Sequence, residues 1–412
     1  MRRIISTALL LCAVSVTAQQ TIEVNVRNSS KSARTDEPVI IQLAPYNCSA
    51  PHRDVRSALV TVEGVEIPCQ LDDIDQDEIY DELCFLADLK GEETKCYQVQ
   101  LFSEGEPRPY VPRVYAEMLV RNDKVKEKNK HNNFLESITV RGDCANSYNV
   151  QHHHGVDFES ELNGIRIYFD KRQTLDLYGK FHKRLELEAT QFYTQPSQKA
   201  EGYGDDVLWV GNTFGLGAFR GWDGQQPTMI DPVRSRTQRI IAYGPLRTIV
   251  EVYDRGWIAA PDKPALNMLL RYTQYAGHRD TDVEVIFNRP VPDYLFSTGF
   301  INVKDSEPFS DQKGLRACWG TDWPSSDHEN FKPETVGLGI YIPQQFIRSE
   351  EPANKDNYAF VVGTNTDRLN YKIIYCSDNE NFGFHSSKEW FTFLKSWKED
   401  VEAPLIIEMK TH

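Results

Sequence analysis

His152, His153 and His154 stand in a row before Gly155, and imidazole is the side chain that titrates nearest neutrality. Downstream come Tyr178-Gly179-Lys180, Tyr203-Gly204-Asp205-Asp206 and Arg220-Gly221-Trp222. A sheet needs apolar residues on one face only, so this surplus of titratable and aromatic groups exceeds what folding asks for. Proton transfer on a polar substrate is the chemistry it suits. On an extended strand His152 and His154 share one face while His153 points the other way. His152 or His154 would then act as general base and Tyr178 or Lys180 as general acid. Arg220 and Arg279 would clamp a carboxylate. His153, Tyr203, Asp205, Asp206, Trp222 and His278 complete the expected substrate contacts. A matching reaction is β-elimination beside a carboxylate, in which a base removes the α-proton, cations neutralise the carboxylate and an acid protonates the leaving oxygen.

The same residues admit other assignments. Asp205, Asp206, Glu159 and Glu161 could serve a glycoside hydrolase, although neighbouring carboxylates on an extended chain point apart. The aromatics and arginines could hold a glycan without turnover, and a mutarotase or epimerase is a minor alternative. Arg279 could also be spent on a surface pair with Asp280 or Asp282. His152 and His154 with Glu159 or Glu161 could bind a transition metal, but the spacing matches no tight metal signature. Asp73, Asp75 and Asp77, with Asp81 after them, place oxygen ligands at alternate positions, as a calcium loop does. Glu78 replaces the turn glycine of such a loop, and Cys84 stands where its closing glutamate would be. These departures favour a solvated acidic hairpin, and a calcium bound there would be structural. No cofactor is required by the expected chemistry. The glycines between Trp209 and Gly224 lack a phosphate-binding lysine, and no G-x-S-x-G elbow lies near the site, so neither a nucleotide loop nor a serine esterase is supported.

The elements that must position these groups are mostly strands. Alternating segments occur at 21–26, 39–43, 58–62 and 97–102, and turn-rich gaps separate them as in an immunoglobulin-sized sandwich. Glu104-Gly105-Glu106-Pro107-Arg108-Pro109 reads as a linker, which places a boundary near Glu106. Further strands are expected at 114–120, 165–169, 185–189, 249–253, 266–275, 282–287, 336–342, 359–362 and 371–375. The fold class is therefore mainly β: a small sandwich over 19–106 and a large supersandwich over 107–412. One helix stands apart near the end. Ser386 or Ser387 caps it, Trp390, Phe391, Leu394 and Trp397 share its inner face, and Pro404 closes it before a last strand at 405–409.

Arg2-Arg3, the apolar run 4–16 and Val16-Thr17-Ala18 read as a signal peptide over 1–18, too short to span a membrane. The expected location is periplasmic or secreted, with no membrane span after cleavage near Ala18. Eight cysteines occur, and loss of Cys12 with the leader leaves seven in an oxidising compartment. Disulfides are open to them, yet a core of this size does not need bridges. A formal charge of −14 argues against nucleic acid, whose backbone demands a basic footprint. An acidic sugar would need a locally positive pocket instead.

His152-His153-His154-Gly155, Tyr178-Gly179-Lys180, 202–206 through Trp209-Val210-Gly211-Asn212, Phe219-Arg220-Gly221-Trp222 and Tyr275-Ala276-Gly277-His278-Arg279 together resemble a secreted bacterial family known as a domain of unknown function. The resemblance covers nearly all of the chain beyond the leader. It implies polysaccharide-utilisation gene clusters, often beside hydrolases of unsaturated uronides. It also implies a galactose-mutarotase- or polysaccharide-lyase-like β-sandwich and acidic oligosaccharides or polysaccharides as partners, so the expected reaction is β-elimination at C5 of a uronate. It transfers no catalytic residue, and a fold does not fix a reaction.

Overall fold

A computed structural model describes residues 20–47, 54–121, 133–144, 147–329 and 331–411. The leader expected at 1–18 lies outside the described residues, as does Cys48.

The first sandwich packs a five-stranded sheet on a three-stranded one. In the larger sheet Gln20–Arg27 lies between Thr94–Phe102 and Ile406–Thr411; the smaller sheet joins Arg34–Gln42, Glu82–Leu89 and Cys69–Asp72. Period-two alternation puts Ile22, Val24, Val26, Val39, Ile41, Val99 and Leu101 into a common core. The last strand thus leaves the large unit and joins the small one, across the boundary expected near Glu106. By pairing with Gln20–Arg27 it covers an otherwise open edge.

Among the described residues, the rest of the chain is built on three more antiparallel sheets, one of nine strands and two of five. Their inner faces send Val250, Met268, Val285, Leu338, Phe296, Phe158 and Leu177 into one core. The chain is mainly β, as alternation predicts. The helix Ser387–Glu402 begins at Ser386, whose side chain accepts from the Glu389 amide. Trp390, Phe391, Leu394 and Trp397 pack there on Leu315, Ala317 and Ile374, a core role rather than a sugar platform. The strand expected at 185–189 is not formed. The short helix Leu187–Thr190 stands there, because the Glu159 carboxylate accepts the amides of Glu186 and Leu187 at 2.8–2.9 Å and fixes its first turn. The described cysteines, Cys69, Cys84, Cys96, Cys144, Cys318 and Cys376, are free thiols. No helix among the described residues is long and apolar enough to cross a membrane.

Polar ties join the two units. Arg113 grips Asp36 with two bonds of 2.6 and 2.8 Å and also pairs with Glu161. Arg247 Nε donates to Asp72 at 2.7 Å. His278 bridges Asp280, at 3.2 Å, and the Asp36 carbonyl, at 2.9 Å. Burial would depress this imidazole, but hydrogen bonding and charge from Asp280, then charge from Glu37, outweigh it and raise the group to about 9. His278 is therefore a protonated tether between the units, not a substrate contact.

A folded value above the unfolded one means that the unfolded chain releases the proton first as pH rises. The His278 contribution should be full below about pH 6.5 and lost as pH climbs through about 9. Thermal unfolding from pH 6 to 10 should show a falling Tm, with a visibly flatter fall in His278→Gln. Equal slopes in the two proteins would contradict the tether.

Candidate functional site

Three consecutive strands, Gly155–Ser160, Gly164–Tyr168 and Leu175–Gly179, alternate in an uncommon way. Val156, Phe158, Ile165, Ile167, Leu175 and Leu177 face the main core. The opposite face carries Asp157, Glu159, Arg166, Tyr168, Asp176 and Tyr178, and these too are buried. Register then aligns their charges. Glu117 lies opposite Asp157, Asp157 opposite Arg166, and Arg166 opposite Asp176. Directly opposite residues share a face, so this is one polar row running across four strands. Asp205–Asp206 adds a fifth strand, with Asp206 opposite Tyr178.

Arg166 is the hub of the row. Its guanidinium donates to Asp176 Oδ2 at 2.6 and 3.1 Å, to Asp206 Oδ2 at 3.3 Å and to the Tyr193 hydroxyl at 3.3 Å. It also lies over the Phe192 ring, 4.2 Å from the centroid. The Tyr168 hydroxyl donates to the same Asp176 oxygen at 2.7 Å. Asp176 is thereby saturated. Among the described residues Asp206 has the long contact to Arg166 and the Leu208 amide at 3.1 Å. Burial, and next the Asp176 carboxylate, push the Asp206 carboxyl well above its ordinary value. It therefore holds a proton further up the pH scale than a free aspartate, as a general acid requires.

Over this end of the row opens a cavity of about 310 Å³, lined by Tyr148, Arg166, Tyr168, Arg172, Asp176, Tyr193, Asp205, Asp206 and Trp209 among others. Arg172 sits 4.8 Å from the Tyr148 ring centre and 4.9 Å from that of Tyr168, and Asp170 holds it by a bond of 2.8 Å. Trp209, 49% exposed, lies at the rim of the cavity. A second hollow, of about 450 Å³, shares Trp209 and adds Trp323, His328 and Lys355. Aromatic faces, cations and a protonatable carboxyl around a hollow of this size suit a small polar ligand with apolar faces.

The histidines do not lie on an extended strand. They form the turn into Gly155, and His154 has φ 71°, a left-handed conformation that is uncommon for a side chain of this size. Gly155 is required because a Cβ there would lie 1.7 Å from the Ile167 carbonyl oxygen. The expected division into His152 and His154 on one face and His153 on the other gives way to three separate environments. His154 stacks on Tyr148 with centroids 3.8 Å apart, and its Nδ1 meets the Tyr148 carbonyl at 3.0 Å. A carbonyl only accepts, so Nδ1 carries the proton and Nε2 keeps its lone pair. Burial, foremost, lowers this imidazole to about 4, which leaves it neutral at pH 7. His152 meets the edge of Tyr193 at 6.0 Å. His153 is fully buried, with Nε2 3.4 Å from Asp157 and 3.8 Å from Glu117. The ligand atoms of Glu117, His153 and Asp157 all lie within 4.8 Å of one another.

The other expected site residues divide. Asp205 and Asp206 line the cavity, but a salt bridge to Lys199 occupies Asp205. Tyr178 is fully buried, its hydroxyl bonded to the Gly204 carbonyl and to Thr194, both at 2.8 Å, and burial raises it further above its ordinary range. It has no route to a ligand. Lys180 is also fully buried, spent on Glu159 and on the Ser160 and Arg184 carbonyls at 2.6 and 2.8 Å. Gly179 does not open access to it; the Gly204 backbone passes there, where a Cβ would fall 1.8 Å from the Gly179 oxygen. Arg220 is no carboxylate clamp, because its guanidinium donates to the carbonyls of Arg172, Asn212 and Thr213 and to the Thr174 hydroxyl, at 2.7–3.1 Å. Arg279 pairs with buried Glu380 at 2.6 Å, and so with neither Asp280 nor Asp282. Glu161 is held by Arg113 and the Gly277 amide. Arg184 covers Tyr203 at 4.0 Å, and Trp222 sits half-buried on the short strand Arg220–Trp222.

Asp73 and Asp81 accept backbone amides of their own hairpin, the former from Gln76, Asp77 and Glu78 and the latter from Ile74. Their oxygens and one from Asp75 lie within 4.8 Å of each other, a grouping that does not include Asp77.

Sequence reading missed Glu117, Tyr148, Asp157, Arg166, Tyr168, Arg172, Asp176 and Tyr193. The signal present was the triplets Asp157-Phe158-Glu159, Arg166-Ile167-Tyr168 and Asp176-Leu177-Tyr178, in which ionisable groups alternate with core residues on successive short strands. A larger hollow, about 850 Å³, lies elsewhere, between the nine-stranded sheet and the first sandwich. Its Arg247, Arg271 and Lys372 are paired with Asp72, Glu251 and Asp282, while Arg348, which donates to the Gln345 carbonyl, and Arg368 also line it.

A family model described as a domain of unknown function, DUF4861, matches residues 26–407. No curated protein matches the chain significantly. Among solved structures, an alpha-mannosidase from Enterococcus faecalis V583 is 10% identical, covering 96% of this chain and 46% of that one, with a TM-score of 0.49. A protein in glycosyl hydrolase family 38, also from Enterococcus faecalis, is 9% identical, covering 95% and 47%, with the same TM-score. The chain spans about half the length of both, and nothing about activity follows from likeness at this level.

Because Lys180 neutralises a carboxylate away from water, Lys180→Met should strand Glu159 and cost about 3–5 kcal/mol of stability. Urea unfolding measures this directly. A loss below about 1 kcal/mol would show that the pair is not the structural lock inferred here.

Proposed function

The chain belongs to the DUF4861 family, and from its site we propose a carbohydrate-active enzyme that acts on uronate-containing oligosaccharides, by β-elimination. The observation that carries this reading is the Asp206 carboxyl, 3.3 Å from Arg166 in an aromatic-lined cavity that Arg172 also lines, with its proton affinity raised by burial and the Asp176 carboxylate. The partly exposed rings of Trp209 and Tyr193 suit the apolar faces of a pyranose. Arg172 supplies a cation for the uronate carboxylate, and its neutralisation makes the C5 proton easier to remove. Asp206 protonates the leaving oxygen. His154, stacked on the cavity residue Tyr148, supplies the base through Nε2, which keeps its lone pair while Nδ1 donates to the Tyr148 carbonyl. The two-arginine sequence at the amino end, the apolar run and Ala18 support action outside the cytoplasm.

Hydrolysis is the second reading, favoured by the three carboxylates Asp176, Asp205 and Asp206 at one cavity. Environments that separate paired carboxyl groups in pKa are the basis of acid–base glycoside cleavage. The products separate the two, because elimination leaves an unsaturated, ultraviolet-absorbing end and hydrolysis adds water.

Incubation with oligogalacturonides, glucuronan and arabinogalactan oligosaccharides should yield products with new unsaturated ends, resolved by absorbance and mass. Asp206→Asn should lower kcat about 100-fold or more while the fold persists, and wild-type activity should decline as rising pH strips the Asp206 proton. Arg172→Ala should chiefly raise KM for acidic substrates. Products heavier by one water would replace elimination with hydrolysis. Neither turnover nor binding on any acidic glycan would remove the reading altogether.

A further inference from the structure

We infer that Glu117, His153 and Asp157 form a binding site for a divalent transition-metal ion, zinc or manganese. Three observations converge on it. The ligand atoms come from separate positions, Glu117 on the strand Val114–Glu117, His153 in the turn, and Asp157 on Gly155–Ser160, yet they meet within 4.8 Å. His153 Nε2 stands 3.4 Å from Asp157 Oδ2 and 3.8 Å from Glu117 Oε1, too far for ordinary hydrogen bonds. Donors bound at about 2.0–2.2 Å to one ion are held roughly 3–3.6 Å apart, so a slight contraction completes the site. Finally, His153 is wholly buried and neither of its ring nitrogens has a hydrogen-bond partner among the described residues. A buried imidazole without a partner is costly, whereas a metal ligand in that position is not.

Donor chemistry narrows the ion. One imidazole and two carboxylates suit zinc or manganese, while calcium prefers six or more oxygens and no nitrogen. The Tyr115 hydroxyl donates to the other Glu117 oxygen at 2.6 Å and so orients the carboxylate, the kind of outer support that metal ligands receive. The bound ion pins the turn from which His154 stacks on Tyr148 and His152 meets Tyr193, two walls of the sugar-sized cavity. This assignment rests on the three donors and not on the reaction proposed above.

The test uses the full chain after dialysis against a chelator, with zinc, manganese or calcium added back. Bound metal is counted by elemental analysis and unfolding is followed thermally. One equivalent of zinc or manganese per chain should bind and raise Tm, and His153→Gln should abolish both effects. Asp73→Asn/Asp81→Asn, in the acidic hairpin, should leave both intact. If His153→Gln does not fold, Glu117→Gln carries the comparison. Absence of zinc and manganese uptake overturns the site, as does uptake undiminished in His153→Gln and Glu117→Gln. Calcium uptake that survives His153→Gln, without zinc or manganese, overturns it as well. Catalytic turnover enters none of these readouts, so loss of the proposed reaction and loss of the metal site are told apart.

Discussion

Arg166 is almost wholly buried in the middle of a row of acids, and the chemistry of the cavity depends on how it divides its charge. A buried cation needs carboxylate partners, and removing one member of such a set strands the others. Arg166 spends its short bonds on Asp176, which Tyr168 also satisfies, and reaches Asp206 only at 3.3 Å. One aspartate is thus fully compensated while its neighbour is pushed toward the protonated form. That inequality is produced by strand register, because Asp176 stands opposite Arg166 and Asp206 opposite Tyr178.

Groups that hold the surrounding loops are as polar as the cavity itself, and several resemble catalytic residues until their partners are seen. Arg220 binds three carbonyls, those of Arg172, Asn212 and Thr213, and so fixes the segment that presents Arg172. Lys180 joins the Ser160 and Arg184 carbonyls to Glu159, which in turn starts the helix Leu187–Thr190 just before Phe192 and Tyr193. Each replaces water around backbone groups that a folded loop would otherwise bury unsatisfied. Such positions act on the cavity only by placing its walls.

Much of this organisation was legible in the sequence. Alternation gave most strands, including Leu266–Tyr275 to the residue, and the spacing of Trp390, Phe391, Leu394 and Trp397 gave the helix that they anchor. The segment 185–189 misled because its helix is started by a carboxylate distant in sequence, which no local pattern records. At the candidate site, the stretch from His152 to Trp222 contributes Asp205, Asp206 and Trp209 to the cavity lining, and His154 stacks on Tyr148 at its wall. Lys180, Tyr178, Arg220 and Arg279 were chosen for side-chain type, yet type does not reveal whether a cation faces a ligand or a carbonyl. Arg166 and Asp176 went unnoticed because a strand alternating charge with isoleucine or leucine looks half-solvated until its second face proves to be covered.

The central claim is that acidic sugar binds over Arg166 and Asp206, against Trp209. A crystal structure of the Asp206→Asn chain soaked with a uronate oligosaccharide tests it most directly. The account predicts a sugar ring against Trp209 with its carboxylate on Arg172 and its glycosidic oxygen at residue 206. A ligand seated only in the larger hollow beneath the nine-stranded sheet, with the smaller cavity empty, would contradict it.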